Sequence, residues 1–493
     1  MTPTAFARPP SVSSVTRRHG RAASAGSRLF IVSNRLPFTA VSRDAEVGLV
    51  RSTGGLASAL REVHERSDAI WVGWAGWASD RSDADRERIE QELLRHRAVP
   101  VDMSEPEIEG YYRRYANGVL WPTLHDMQLP ADSDSMGWDL YRAMNERFAD
   151  VIAPRLAPGD RVWVHDYHLM LLPALLRARV PRARIGFFLH TPVPTPARLT
   201  ALAEWEALAD GLSGAEVIGV HTGDYAYNLD QALRRPRRRA THRRGAGAGG
   251  RVPRVLVHPI GTDAEQFSAL GDDPEVLAEA TRIRACAAGP LFVGVDRLDY
   301  TKGVPERLLA FERLLAEMPE LCGRARLIQV GVPTREDSSG YGPLRDQVGE
   351  LVARINREYG TATWAPIEYT FGSVDPARLV ALYRAADVML VTPLCDGMNL
   401  VAKEFVATRT DGEGVLVLSA RAGAAVELWA ALLVEPGSLD SLVASYKRAL
   451  AVSPSERHVR MRKLRATVAG NDVLNWANRS LAALGAPRLA AGQ

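Results

Sequence analysis

Cysteine is nearly absent: Cys286, Cys322 and Cys395 are the three in 493 residues, and no two form a CxxC pair. So sparse and odd a set argues against a disulfide framework and a zinc site, and fits a reducing cytoplasm. Long apolar runs are missing too. None approaches the roughly 20 residues that a membrane-spanning helix needs, so no membrane partner is expected. An excess of one charge is also lacking, since 61 Lys and Arg against 58 Asp and Glu leave +3. That balance removes the usual electrostatic reason to expect nucleic acid as the main partner. Residues 1–27 contain no Asp or Glu and are rich in Ser, Ala, Pro and Arg. A transit peptide would share that composition, but no continuous apolar segment marks a secretion signal, and a disordered tail is expected.

What is present is a long alternation. From Arg28 onward, short apolar runs alternate with amphipathic stretches. The runs are LFIVSN (29–34), IWVGW (70–74), RVWVHD (161–166), RIGFFLH (184–190), AEVIGVH (215–221), RVLVHPIG (254–261), LFVGVDR (291–297), RLIQVG (326–331), DVMLVTPL (387–394) and GVLVLS (414–419). Runs of about four to eight β-branched and aromatic residues followed by helical patterns read as buried strands of parallel sheets. The helical pattern is plain over 169–179 and 304–318, where Val304, Leu308, Phe311 and Leu315 form one stripe with charges opposite. The class is therefore α/β with doubly wound domains, and the length calls for two of them.

Residues 234–254 carry nine arginines and a Gly-Ala stretch, which predicts a surface loop. A nucleic-acid-binding arm is the sharper alternative, but no aromatics are interleaved for base stacking. The expected organisation is an N-terminal Rossmann-like domain over 28–258, a second over 259–470, and a C-terminal helix and tail over 471–493.

In a doubly wound sheet, ligands bind beyond the carboxyl ends of the strands. His165, Asp166 and His168 close one run and His190 closes the next, so these polar groups gather at one sheet edge. A plainer role for Asp166 is capping the following helix. For that residue alone the two readings stand level. No metal is expected, because these residues lack a compact ligand spacing.

The segment LFVGVDRLDYTKGVPERL ends a strand at Arg297, holds Lys302 and Gly303 in a loop, and starts a helix at Pro305. Two cations beside a helix N-terminus make a diphosphate site. The plainer alternative is a surface ion pair with Asp296 or Asp299. DVMLVTPLCDGMNLVAKEF has the same shape: a strand, then Asp396-Gly397, then a helix opening across Met398, Asn399 and Leu400. Glu404 in that helix is placed to accept hydrogen bonds from sugar hydroxyls. In the N-terminal domain, Arg35 closes the first strand, Gly54 and Gly55 follow a loop, and Tyr112 and Trp121 supply O–H and N–H donors suited to phosphate or sugar.

Taken together, SNRLP (33–37), GGLA (54–57), YYRRYANGVLWP (111–122), HDYHL (165–169), GFFLHTPVP (186–194), DRLDYTKG (296–303), DGMNLVAKEF (396–405) and GVLVLS (414–419) resemble glycosyltransferase family 20, the trehalose-6-phosphate synthases. The resemblance runs in order from about residue 28 to 475. It implies the GT-B fold, two Rossmann-like domains facing across a cleft, and a glucosyltransferase that keeps the donor's anomeric configuration. It implies a nucleotide-diphosphate glucose as donor and glucose 6-phosphate as acceptor, with no cofactor. By the same resemblance, Arg297, Lys302 and the backbone of Gly397, Met398, Asn399, Leu400 and Val401 hold the donor diphosphate. Glu404 meets the ribose, and Asp396 and His190 meet the transferred glucose. Arg35, Tyr112, Trp121 and Arg335 hold the acceptor's phosphate, Asp166 meets an acceptor hydroxyl, and Gly54 and Gly55 belong to a loop closing over the cleft. Self-association is common in such enzymes, so a homo-oligomer is an expectation.

The chain departs from the family pattern at Arg421, where an aromatic is usual, at Val426, where a polar residue is usual, and at Leu124 and Asp126. Two other functions share much of this pattern. A sister enzyme would glucosylate another phosphorylated acceptor such as glycerol 3-phosphate. A non-catalytic sugar-phosphate sensor would have lost part of the donor site, whereas Arg297, Lys302, Asp396 and Glu404 are all present.

Overall fold

The computed structural model describes residues 27–43, 46–52, 54–78, 82–129, 137–244, 252–334 and 341–489. All but the last residue of the expected N-terminal tail, and Arg335, lie outside the described residues.

All ten apolar runs form strands, because branched and aromatic side chains pack well on the two covered faces of a parallel sheet. In chain order the first nine strands are β1 (Leu29–Arg35), β2 (Phe38–Arg43), β3 (Glu46–Arg51), β4 (Ile70–Trp74), β5 (Ala98–Pro100), β6 (Arg161–His165), β7 (Arg184–Phe188), β8 (Val217–Val220) and β9 (Arg254–Val257). The remaining six are β10 (Leu291–Arg297), β11 (Arg326–Val332), β12 (Ile367–Phe371), β13 (Val388–Val391), β14 (Val415–Ser419) and β15 (Leu432–Val434). Strands β5-β4-β1-β6-β7-β8-β9 make one sheet and β12-β11-β10-β13-β14-β15 the other, with every pairing parallel. β2 and β3 form a separate antiparallel hairpin.

Each sheet reverses its winding beside its first strand. β4 and β6 flank β1, and β11 and β13 flank β10. A crevice opens at such a switch point, beyond the carboxyl end of the central strand. Those ends are Arg35 and Arg297, which puts one arginine at the mouth of each sheet.

The alternation of β1 shows how the layers form. Phe30 and Val32 enter a core confined to the N-terminal sheet and its outer helices, while Ile31 faces the other way. The layer that Ile31 joins is continuous with Val293, Met389 and Phe405 of the second sheet's layer. The C-terminal helix Val473–Ala483 seals it. Trp476 packs on Trp163 and Phe188 with ring centroids 5.1 and 5.4 Å away, so the chain's last helix covers the first sheet. The two crossings between the sheets are tied together where Val473 N donates to Thr262 O at 3.1 Å.

Two expectations are corrected. The arginine-rich segment is not a loop as far as Arg244: one helix runs from Gly223 to Arg244, and residues 245–251 lie outside the described residues. Arginine is a good helix former, so a run of arginines does not by itself end a helix. In the helix Val304–Glu317 the charges do not all face solvent. Arg307 is fully buried, held by Asp296, Gln329 and Thr392. Among the described residues, no helix is long and apolar enough to cross a membrane.

Candidate functional site

The second sheet builds its half of the cleft from two strand–loop–helix junctions. After β10, a turn stapled by Asp299 (accepting from Thr301 N at 3.0 Å and Tyr341 O–H at 3.0 Å) carries the chain to Lys302. Gly303 then adopts φ 63°, with Thr392 O so close that a Cβ would not fit, and Val304–Glu317 begins with proline in its first turn. After β13, Asn399 takes φ 84°, unusual for a non-glycine, and caps Leu400–Thr408 by accepting from Ala402 N at 3.2 Å. Strain of this kind clusters at functional sites. Two helices therefore start at one edge of the second sheet, and each leaves free N–H groups in its first turn.

Between them sits a buried ion pair. Lys302 Nζ lies 2.6 Å from Asp396 Oδ2, and the Asn399 amide donates to the same oxygen at 3.0 Å. Burial alone would push the Asp396 carboxyl up, but the Lys302 charge and hydrogen bond, helped by Asn399, hold it below its ordinary value. The suggested surface ion pair of Arg297 or Lys302 with Asp296 or Asp299 is thus not what forms. Asp296 pairs with Arg307, Asp299 staples the turn, and Arg297 stays exposed. Half-buried Glu404 accepts from Tyr383 O–H at 3.0 Å, and desolvation raises its carboxyl to about 7.

The first sheet supplies a different surface. Arg35 lies with its guanidinium 4.4 Å from the centroid of Trp74, whose indole N–H donates to Trp77 O at 2.6 Å. Tyr112 lies in a π-helical stretch (Ile108–Leu120), edge-on to Trp74 and stacked on His168, with centroids 5.8 Å away in both cases. Trp121 follows directly, packed on His125 and Tyr167. Asp166 has φ 74°, and the capping role that the sequence allowed is formed. Its carboxylate accepts from Tyr167 N at 3.1 Å as a cap, and from His190 N at 3.3 Å. His190 Nε2 stands 3.1 Å from His165 Nδ1.

The two halves touch at the proposed residues. The Arg297 guanidinium carbon is 5.7 Å from the Trp121 ring centroid. Gly397 lies so close to the His190 carbonyl oxygen that a Cβ there would collide with it. A Cβ on Gly55 would come within 2.8 Å of Leu400 Cδ1, which places the Gly54–Gly55 turn over the start of the helix Leu400–Thr408. Gly54, Met398 and Val401 flank the same junction, with Met398 buried and Val401 half-buried.

Some residues here escaped the sequence reading. Tyr225 O–H donates to Asp396 O at 3.1 Å, linking the first sheet's helix to the second sheet's loop. Lys403, fully buried, holds Glu427 at 2.6 Å and Ile260 O at 2.7 Å, while Asn471 donates to Glu427 at 2.8 Å. One ion pair thus grips both crossings between the sheets. Lys403 beside Glu404 in an otherwise apolar helix was the available signal, since a buried charge needs a partner. Nothing in its local sequence marks Tyr225. Arg421 is exposed with its carbonyl accepting from Asp396 N at 3.2 Å, and Val426 is 66% exposed. Among the described residues, no group of three or more His, Cys, Asp or Glu is arranged to hold a metal ion.

The sequence matches the model of glycosyltransferase family 20 over residues 27–486. It is 40% identical to the trehalose-6-phosphate synthase of Mycobacterium avium, over 95% of this chain and 97% of that protein. It is 39% identical to the bifunctional trehalose-6-phosphate synthase/phosphatase of Thermoproteus tenax over 91% of this chain. The chain spans 62% of that longer protein. Among solved structures, the UDP-forming α,α-trehalose-phosphate synthase of Burkholderia xenovorans in complex with glucose 6-phosphate superimposes with a TM-score of 0.79 at 30% identity, covering 93% of this chain and all of that one.

Proposed function

The chain belongs to glycosyltransferase family 20 and has the GT-B fold, and from that premise we propose that it transfers glucose from a nucleotide-diphosphate glucose to glucose 6-phosphate, making α,α-trehalose 6-phosphate. The observation that carries this reading is the Lys302–Asp396 pair between two helix N-termini, with Arg297 at the end of the neighbouring strand facing the Trp121 ring of the other sheet. Cations and free N–H groups at that spot suit a diphosphate, and Asp396 beneath them suits the hydroxyls of the sugar that the diphosphate carries. The relative from Burkholderia xenovorans is UDP-forming, which favours UDP-glucose as donor. The substrates are small molecules, and the reading assigns no metal or cofactor.

Opposite, Arg35, Tyr112 and Trp121 would take the acceptor's phosphate, a role that the family resemblance extends to Arg335. The acceptor hydroxyl then approaches the anomeric carbon on the face from which the diphosphate leaves. The carbon–oxygen bond to phosphate breaks as the new glycosidic bond forms. The departing phosphate oxygen takes the hydroxyl's proton, and Arg297 and Lys302 stabilise its developing charge. Closure of the two halves aligns the reactants and excludes water.

The test is nucleotide release from UDP-, GDP- and ADP-glucose, each with glucose 6-phosphate or glycerol 3-phosphate. Release that requires glucose 6-phosphate, with a non-reducing disaccharide phosphate as product, is expected. Release with glycerol 3-phosphate alone, or with neither acceptor, would overturn the proposal.

A further inference from the structure

His190 is backed by a second histidine. Its Nε2 stands 3.1 Å from Nδ1 of His165, the last residue of β6, and the rings stack with centroids 5.3 Å apart. His165 is fully buried among Trp163, Phe188 and Trp476, at centroid distances of 4.4, 6.4 and 6.3 Å. Its other nitrogen, Nε2, is buried with no hydrogen-bond partner. Both imidazoles are neutral, since burial pulls His165 down to about 3 and His190 well below its ordinary value.

A neutral imidazole carries one N–H and one bare nitrogen, so the pair has two arrangements. In the first, His165 Nδ1–H donates to His190 Nε2, and the bare nitrogen of His165 is its buried Nε2. In the second, His190 donates, and His165 must keep its own proton on Nε2, where nothing accepts it. Orphaned buried N–H groups are rarer in folded proteins than under-used acceptors, so the first arrangement is favoured. His190 then carries its proton on Nδ1, the ring nitrogen that His165 does not hold.

We propose that His165 is a positioning residue, which fixes His190 in the Nδ1–H tautomer so that it offers a donor rather than an acceptor to a hydroxyl oxygen of the transferred sugar. The sugar part rests on the glucosyltransferase reading. The tautomer part does not. Asp166, which follows His165, steadies the same residue from the backbone side by accepting from His190 N. The strand end thus fixes both where His190 sits and which nitrogen bears its proton.

The experiment is a long-range 1H–15N correlation spectrum of the histidine-labelled full chain without substrate, with the His190 signals assigned by a His190→Gln variant. The wild type is expected to show Nδ1–H at His190. His165→Leu removes the donor and should give a mixture of tautomers and a kcat/KM for the donor sugar about five- to tenfold lower, the scale of one hydrogen bond. His165→Asn, whose amide reaches the position of Nδ1, should restore the tautomer and most of the rate. An Nε2–H signal in the wild type, or an unchanged Nδ1–H signal in His165→Leu, would overturn the proposal. Should the Leu variant fail to fold, the wild-type spectrum decides alone. Because the spectrum needs no turnover, a wild type that transfers no glucose would refute the functional reading and leave the tautomer result standing.

Discussion

On the second sheet's side of the cleft the carboxylates Asp396 and Asp296 are paired with cations, whereas the histidines on the first sheet's side are neutral. Lys302 holds Asp396 and Arg307 holds Asp296, each carboxylate losing water and gaining a cation. Across the cleft, His165, His190 and His221 are all kept uncharged by burial, and the exposed charge is Arg35 lying over Trp74. The contrast follows from what each side is proposed to meet. A diphosphate must be matched by fixed cations and helix N-termini, and a cation kept in a dry site needs a partner until the ligand arrives. A neutral sugar needs donors and acceptors in defined tautomers, and a charge there would favour water over the sugar.

The largest expected effect breaks the charged side. Lys302→Met removes the cation that neutralises the leaving diphosphate and strands Asp396, so kcat should fall about 10³-fold. Steady-state rates with the fold checked by circular dichroism measure this. Arg307→Met strands Asp296, a buried carboxylate that the reading gives no contact with substrate. It should cost about 3–5 kcal/mol of stability, read by urea unfolding, while the folded fraction keeps much of its turnover. Equal loss of turnover in the two variants would dissolve the distinction between a working pair and a supporting one.

A smaller effect tests the contact between the sides. Gly397→Ala drives a Cβ into the His190 carbonyl oxygen, and the misplacement should lower kcat about 10²-fold. Gly55→Ala meets only the movable end of Leu400, so its stability should change by no more than about 0.5 kcal/mol. The smallest effect concerns pH. Burial holds Glu404 at about 7 against an ordinary 4.5. Between those values the folded chain keeps a proton that the unfolded chain has lost. Stability from this group therefore falls as pH rises through that window and is level above it. Glu404→Gln should remove that fall, seen as a narrower difference between melting temperatures at pH 5 and pH 8.

The fold was legible because it depends on pattern. Ten strands announced themselves as continuous apolar runs, and those missed are of other kinds: the hairpin β2–β3, the three-residue β5 and β15, and the edge strand β12 with its exposed alternate residues. Strand ends were legible as well, which is why Arg35, Arg297, His190 and Asp396 could be chosen by position. Partnership was not legible. Arg307 sits five residues beyond Lys302 in sequence, yet it takes a carboxylate that the local reading had offered to Arg297 and Lys302. Tyr225, Trp476 and Asn471 reach the site through contacts that local spacing does not encode. The π-helical course of Ile108–Leu120 likewise has no marker in its composition.

The division of labour between the two sides is tested most directly by initial rates over a full grid of donor and glucose 6-phosphate concentrations. The wild type would be compared with Arg35→Met and Glu404→Gln. Arg35→Met should raise KM for glucose 6-phosphate and leave KM for the donor in place, and Glu404→Gln should do the reverse. A donor KM that moves with Arg35, or an acceptor KM that moves with Glu404, would contradict the assignment of the two sides.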